Sequence, residues 1–229
     1  DSVSFILEYW ILIMLDVPQL LSRLKMSLPR SNAAACAMCS MGGVGSTALA
    51  RHVGSISDKT IREHAYTPGV YDADKGIRLG YMYGNPYDAV LSVFRRNFQD
   101  MHSKAMNVNS PTPYKSLKGV SIEQYAEEAV DYFNIQRQFD NWINPDLVKH
   151  PTILIKYEGL VDSIDDILGF FESTEPFEVR SRNSSWMKES PKVIDGLQTM
   201  YGDLAKQIEA MPAVKILLPK QWQGLVDID

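Results

Sequence analysis

Cysteine is scarce in this 229-residue chain, which has two, Cys36 and Cys39. A single pair cannot build a disulfide framework, and no second pair exists to complete a structural zinc site. The run Ala33–Ser40 around them reads as a buried strand of small residues, and positions three apart on a strand face opposite sides. Structural thiols in a reducing compartment are therefore expected, and a cytoplasmic location with them. Long hydrophobic runs are also missing. Val3–Leu15 is strongly apolar, but Glu8 interrupts it and Asp16 and Pro18 close it, whereas a bilayer span takes about 20 apolar residues. This predicts a helical segment over 1–30 that packs on the rest, with a signal or anchor remnant as the alternative. Excess basic charge is absent too: the net charge is −5. That removes any bulk attraction to nucleic acid or anionic lipid, so an anionic ligand would need a local basic cluster. No internal repeat or low-complexity run is present.

What is present suits one α/β domain over 1–229. The hydrophobic share is 45% and the charged share 22%, ordinary for a globular chain that buries its own core. Strand Ala33–Ser40 leads into Met41–Gly45 and then a helix over Ser46–Val53. Lys59–Glu63 and Gly76–Tyr83 read as the next strands. Asn85-Pro-Tyr-Asp88 has the cap, the first-turn proline and the acid of a helix start, with the helix running to about Lys104. Ser121-Ile-Glu-Gln124 is a capping box before apolar positions at helical spacing, Ile122 to Phe133. Thr152–Tyr157 is a β-branched strand, Asp162 caps a helix through Phe171, and Ser190-Pro191 opens a long helix to about Met211. This alternation predicts a parallel sheet flanked by helices, with the ligand at the carboxyl ends of its strands.

Met41-Gly-Gly-Val-Gly-Ser-Thr47 sits between a buried strand and a helix. Glycines let backbone amides approach a phosphate, and the helix start adds partial positive charge. Gly42, Gly43, Val44, Gly45, Ser46 and Thr47 are thus candidate nucleotide-binding residues. No lysine precedes Ser46, so the ATP and GTP loop is excluded. A dinucleotide fold remains a rival, because Gly43–Ala48 fits G-x-G-x-x-A and Glu63 stands 20 residues on.

Five segments, in order from Ala33 to Lys188, resemble the sulfotransferases that use 3′-phosphoadenosine 5′-phosphosulfate (PAPS). Met41–Thr47 looks like the family's 5′-phosphosulfate loop. Arg62-Glu-His64 looks like its Lys-x-His element, whose histidine is the general base. Tyr83–Ser92 resembles the 3′-phosphate motif, with Ser92 at the serine position. Ile155–Leu160 resembles the segment beside the adenine, which implies Tyr157 there. Arg180–Lys188 is similar to the late loop over the 3′-phosphate. Two departures stand out: Gly43 replaces the family lysine and Gly84 the family arginine, so Arg95, Arg96, Arg180 and Arg182 become candidates to compensate. The resemblance implies a P-loop-like nucleotide-binding fold, PAPS as co-substrate, and a small-molecule hydroxyl or amine acceptor. A non-catalytic nucleotide-binding relative is the further alternative.

Read on their own, the residues agree with parts of this. A neutral His64 at a strand end can accept a hydroxyl proton near neutral pH, with His102 as second choice. Ser92, Arg95 and Arg96 are expected on one helix face, suited to a phosphate. The loop aromatics Tyr66, Tyr71 and Tyr114 are candidates to line an acceptor pocket. No cluster of carboxylates and histidines calls for a metal, and oligomeric state leaves no trace in the sequence.

Overall fold

The computed structural model describes residues 35–56, 60–71, 76–179 and 185–220. The expected helical segment over 1–30 and both Arg180 and Arg182 lie outside them. Within the described residues the chain is α/β, with a five-stranded sheet in the order β2-β1-β3-β4-β5. The strands are β1 (Ala35–Ser40), β2 (Thr60–Glu63), β3 (Ile77–Tyr83), β4 (Thr152–Lys156) and β5 (Val214–Leu217). The first four run parallel, and β5 joins β4 antiparallel. The central strands β1 and β3 are buried along their length, from Cys36 to Ser40 and from Ile77 to Tyr83. Their near-continuous apolar and small residues are what a sheet covered on both faces requires. Cys36 and Cys39 are both buried and unbonded to each other.

Helix α1 (Ser46–Ile56) connects β1 to β2. The chain then crosses back over β1 to β3, so successive connections leave β1 in opposite directions. This reversal of direction opens a crevice at the carboxyl ends of β1 and β3.

After β3, the expected single helix to Lys104 divides into α2 (Pro86–Arg95) and α3 (Gln99–Met106). Asn97 adopts a left-handed φ of 56° between them, a conformation asparagine tolerates better than most residues. The bend turns α3 back toward the glycine loop. A second division follows. The capping box at Ser121 opens α4 (Ile122–Glu128), which ends where Ala129 turns left-handed. The expected positions beyond it, Val130 and Phe133, lie in the turn that leads to α5 (Ile135–Ile143), in which Phe139 and Trp142 are fully buried. Helix α6 (Ile164–Phe170) follows β4, and α7 (Pro191–Ala210) is capped by Ser190, whose hydroxyl accepts from Val193 N. Helix α7 packs along α4. There a buried chain runs from Tyr125 to the Tyr201 hydroxyl at 2.6 Å and on to Asp131 at 2.8 Å. Burial raises the Asp131 carboxyl above its ordinary value, while the Tyr201 hydroxyl bond pulls it down. No helix among the described residues is long and apolar enough to cross a membrane.

Candidate functional site

Strand β1 delivers the chain into Met41–Gly45, and α1 begins at Ser46. Met41 N donates to Met82 O at 3.2 Å, fixing the loop to the end of β3. Gly42 and Gly43 have φ of 82° and 68°, in the region where a β-carbon is disfavoured. Space closes the same positions. A β-carbon on Gly42 would overlap the His102 imidazole, and one on Gly43 would overlap the Ala89 carbonyl of α2. The loop is therefore wedged between α2 and α3, and side-chain-free backbone is what lets both helices approach.

Below the loop, the Ser40 and Ser46 hydroxyls lie 2.9 Å apart, and Gly42 N donates to Ser40 Oγ at 3.3 Å. Ser46 is buried, so its hydroxyl fixes the loop, whereas Thr47 is more open to solvent. The start of α1 supplies amides and the positive end of the helix dipole, an arrangement that favours an anion.

Two imidazoles flank this cradle. His64 follows β2, and its Nδ1 donates to Ser40 O at 2.8 Å. A carbonyl only accepts, so the neutral ring carries its basic lone pair on Nε2. His102 on α3 is buried, and its Nε2 donates to Met41 O at 3.0 Å. The two rings meet edge to face, with centroids 4.8 Å apart.

A cavity of about 660 Å³ opens here. Gly42, Gly43, Gly45, Ser46, Thr47, His64 and Arg96 all line it, so seven of the sequence candidates come together. Val44 is buried in the core instead. Ser92 lies half-buried on α2, and its carbonyl accepts from Arg96 Nε at 2.8 Å. Arg95 does not share Arg96's surroundings. Consecutive helical residues are about 100° apart, and Glu189 holds Arg95 at 2.6 Å beside a separate cavity lined by Ser121 and Glu123. Tyr157 begins the turn after β4 and packs against Gly84, and it is not among the residues lining the loop cavity. Tyr71 is buried 6.3 Å from the Trp142 ring, and Tyr114 donates to Asp100. Neither these two nor Tyr66 is among the residues lining the loop cavity.

Arg51 also lines the cavity. The sequence reading passed over it, although it stands one helical turn after Thr47, which places it on the same face of α1.

The start of α2, read as part of the 3′-phosphate motif, is occupied by the protein's own groups. Asn85 Oδ1 accepts from Tyr87 N and Asp88 N, and Glu158 Oε1 accepts from Asn85 N at 2.7 Å. The Glu158 carboxylate thus sits beside Gly84, where the family has its arginine. Asp88 is pushed above the usual carboxylate range by burial, against the pull of the Trp186 backbone amide and Arg95. This negative neighbourhood opposes a bound phosphate, and leaves Arg96 and Arg51 as the described cations beside the glycine loop.

A difference between the two adjacent arginines follows. If the nucleotide expected from the sequence binds on the glycine loop, Arg96→Ala should weaken binding of its desulfated form, 3′-phosphoadenosine 5′-phosphate (PAP), by about 1.5–3 kcal/mol, the worth of a hydrogen bond to a charged group. Arg95→Ala removes only an ion pair to Glu189 and should leave affinity within twofold. Calorimetric titration of both variants checks this, and equal losses would place the anion elsewhere.

No family model matches the chain, and neither a curated protein nor a solved structure matches it significantly.

Proposed function

We propose that the protein is a sulfotransferase with a P-loop-like nucleotide site, taking PAPS on the glycine loop and passing its sulfuryl group to a small-molecule hydroxyl or amine. The observation that carries this reading is the placement of His64. Its Nδ1 is hydrogen-bonded to Ser40 O, and its ring lines the same cavity as the glycine loop and the start of α1. A base and an anion cradle sharing one crevice is what in-line transfer to an acceptor demands. In the proposed step the acceptor's proton moves to His64 Nε2 and its oxygen or nitrogen bonds to sulfur. The bond from sulfur to the bridging oxygen breaks, and PAP leaves. The loop amides, the Thr47 hydroxyl and Arg96 offset charge growing on that oxygen, and a single such donor can be worth about 3 kcal/mol.

Nucleotide choice tests the reading. PAP at 100 times its Kd should stabilise the protein by about 2.7 kcal/mol, which corresponds to a Tm rise of about 5–10 °C for a chain of this size. ATP should do less. Stabilisation by NADH with no response to PAP would favour the dinucleotide alternative carried by Gly43–Ala48. Stabilisation by PAP without transfer to any acceptor would favour a binding-only relative.

A further inference from the structure

A second cavity, of about 770 Å³, lies between the start of α2, the end of β4 and one face of α7, and it shares no lining residue with the glycine-loop cavity. Its volume is that of a small-molecule site. One wall is aromatic: the Tyr87 and Trp186 rings meet there with centroids 4.4 Å apart. Another is acidic, since Asp88, Glu158 and Glu209 border the cavity against Lys156 and Lys206. Asp88 Oδ1 is buried and has no hydrogen-bond partner among the described residues. Lys156 Nζ donates to the carbonyls of Ile208, Glu209 and Met211 at the end of α7, one for each of its protons. Lys206 is paired with a further carboxylate, Asp203, at 3.2 Å. The balance of charge around the cavity is negative.

The floor adds a separate observation. Gly202 stands in the middle of α7 and borders the cavity. A glycine there weakens a helix relative to alanine. At Gly196 on the same helix the reason is packing, because a β-carbon would overlap the Ala126 carbonyl. At Gly202 nothing in the protein obstructs one, the nearest atom being the Tyr87 hydroxyl at 3.9 Å. The side chain that is missing leaves open space in the cavity.

We infer that this cavity binds an organic cation with a flat apolar body, of the arylalkylamine class. The body lies against Tyr87 and Trp186 over Gly202, and the ammonium group meets Glu158. Aromatic faces attract a cation, and an ammonium brings the donors that carboxylates take up most strongly. An anion of the same shape would be repelled by Glu158 and Glu209. Neither His64 nor the glycine loop takes part, so this site stands whether or not the loop takes PAPS.

The test compares phenethylamine with two ligands of the same shape, neutral 2-phenylethanol and anionic phenylacetate, titrated calorimetrically into the full chain without nucleotide. The wild type should bind the amine about tenfold or more tighter than the alcohol, the worth of a hydrogen bond between charged groups, and phenylacetate weakest. Glu158→Gln keeps an oxygen for Asn85 N and removes the charge, so the amine should bind about tenfold weaker while the alcohol is unaffected. Gly202→Ala should raise Tm by about 2–4 °C. Gly202→Leu, whose side chain reaches into the open space, should abolish amine binding, with thermal unfolding as the check on its fold. No binding of the amine to the wild type, amine affinity indifferent to Glu158→Gln, or phenylacetate binding as tightly as the amine overturns the inference. If Gly202→Leu does not fold, the Glu158→Gln comparison decides alone.

Discussion

Replacing His64 with alanine should lower sulfuryl transfer by about 100- to 10,000-fold while leaving affinity for PAP nearly intact. The range is the usual worth of a positioned general base, and the split between rate and affinity follows from where the ring acts. His64 borders the cavity and meets Ser40 O through Nδ1, whereas the phosphate cradle consists of the loop backbone, the start of α1 and Arg96. Removing the imidazole therefore touches the proton acceptor and not the anion site. The fold should tolerate the change, since His64 is only partly buried and Ser40 O is also approached by Gln138 Nε2 at 3.5 Å. The measurement is transfer of labelled sulfate to an accepted alcohol, wild type beside variant, with PAP titrated into both. If most of the rate survives, the base is another group, and His102, whose ring meets His64 edge to face, is the first to examine.

The second large effect concerns the lysine that the sulfotransferase loop carries and this chain lacks. Introducing it as Gly43→Lys should destabilise the protein by about 2–5 kcal/mol. A left-handed conformation costs a residue with a β-carbon about 1–2 kcal/mol, and overpacking a filled site costs a further 1–3 kcal/mol. Both conditions hold at Gly43, with its φ of 68° and the Ala89 carbonyl against it. The obstacle is helix backbone, which cannot swing aside as a flexible side chain can. Thermal unfolding should show a Tm drop of about 5–15 °C, with no gain in transfer rate. A stable Gly43→Lys protein with faster transfer would show that α2 can move away. On this account, the missing lysine reflects how closely α2 packs on the loop.

Much of the fold was legible because its signals are local. The β-branched run Thr152–Lys156, the glycine loop and the caps at Asn85, Ser121 and Ser190 all sit where sequence pattern places them. What escaped depends on distant contacts or on single dihedrals. Asn97 and Ala129 each end a helix by turning left-handed, and no spacing of apolar residues announces that. β5 is a short Val-Lys-Ile-Leu stretch that becomes a strand by pairing with β4. At the candidate site, the loop, His64 and Arg96 converge as their order along an α/β chain suggests. Arg95 parts from them because Glu189 holds it elsewhere, and Tyr157 because it opens the turn after β4 beside Gly84. Arg51 was readable in principle from its spacing to Thr47. The satisfaction of the α2 start by Glu158 was not, since the two meet only through the β3–β4 pairing.

The sheet's connectivity also sets the order in which the molecule can assemble. None of its neighbouring strands are joined by a tight turn: Cys36 pairs with Thr60, Ala35 with Ile77, Leu79 with Thr152, and Thr152 with Leu217. Every rung requires a long loop to close before any pairing rewards it, which slows folding and lengthens the time that strand edges stay open to other chains. During synthesis, β1, β2 and β3 can come together early, carrying the glycine loop with them. The far edge must wait until β5 emerges, and until then β4 has no partner on that side. A nascent chain halted before Val214 would hold the residues of the anion cradle yet expose the β4 edge, and such a fragment should seek chaperones or its own copies.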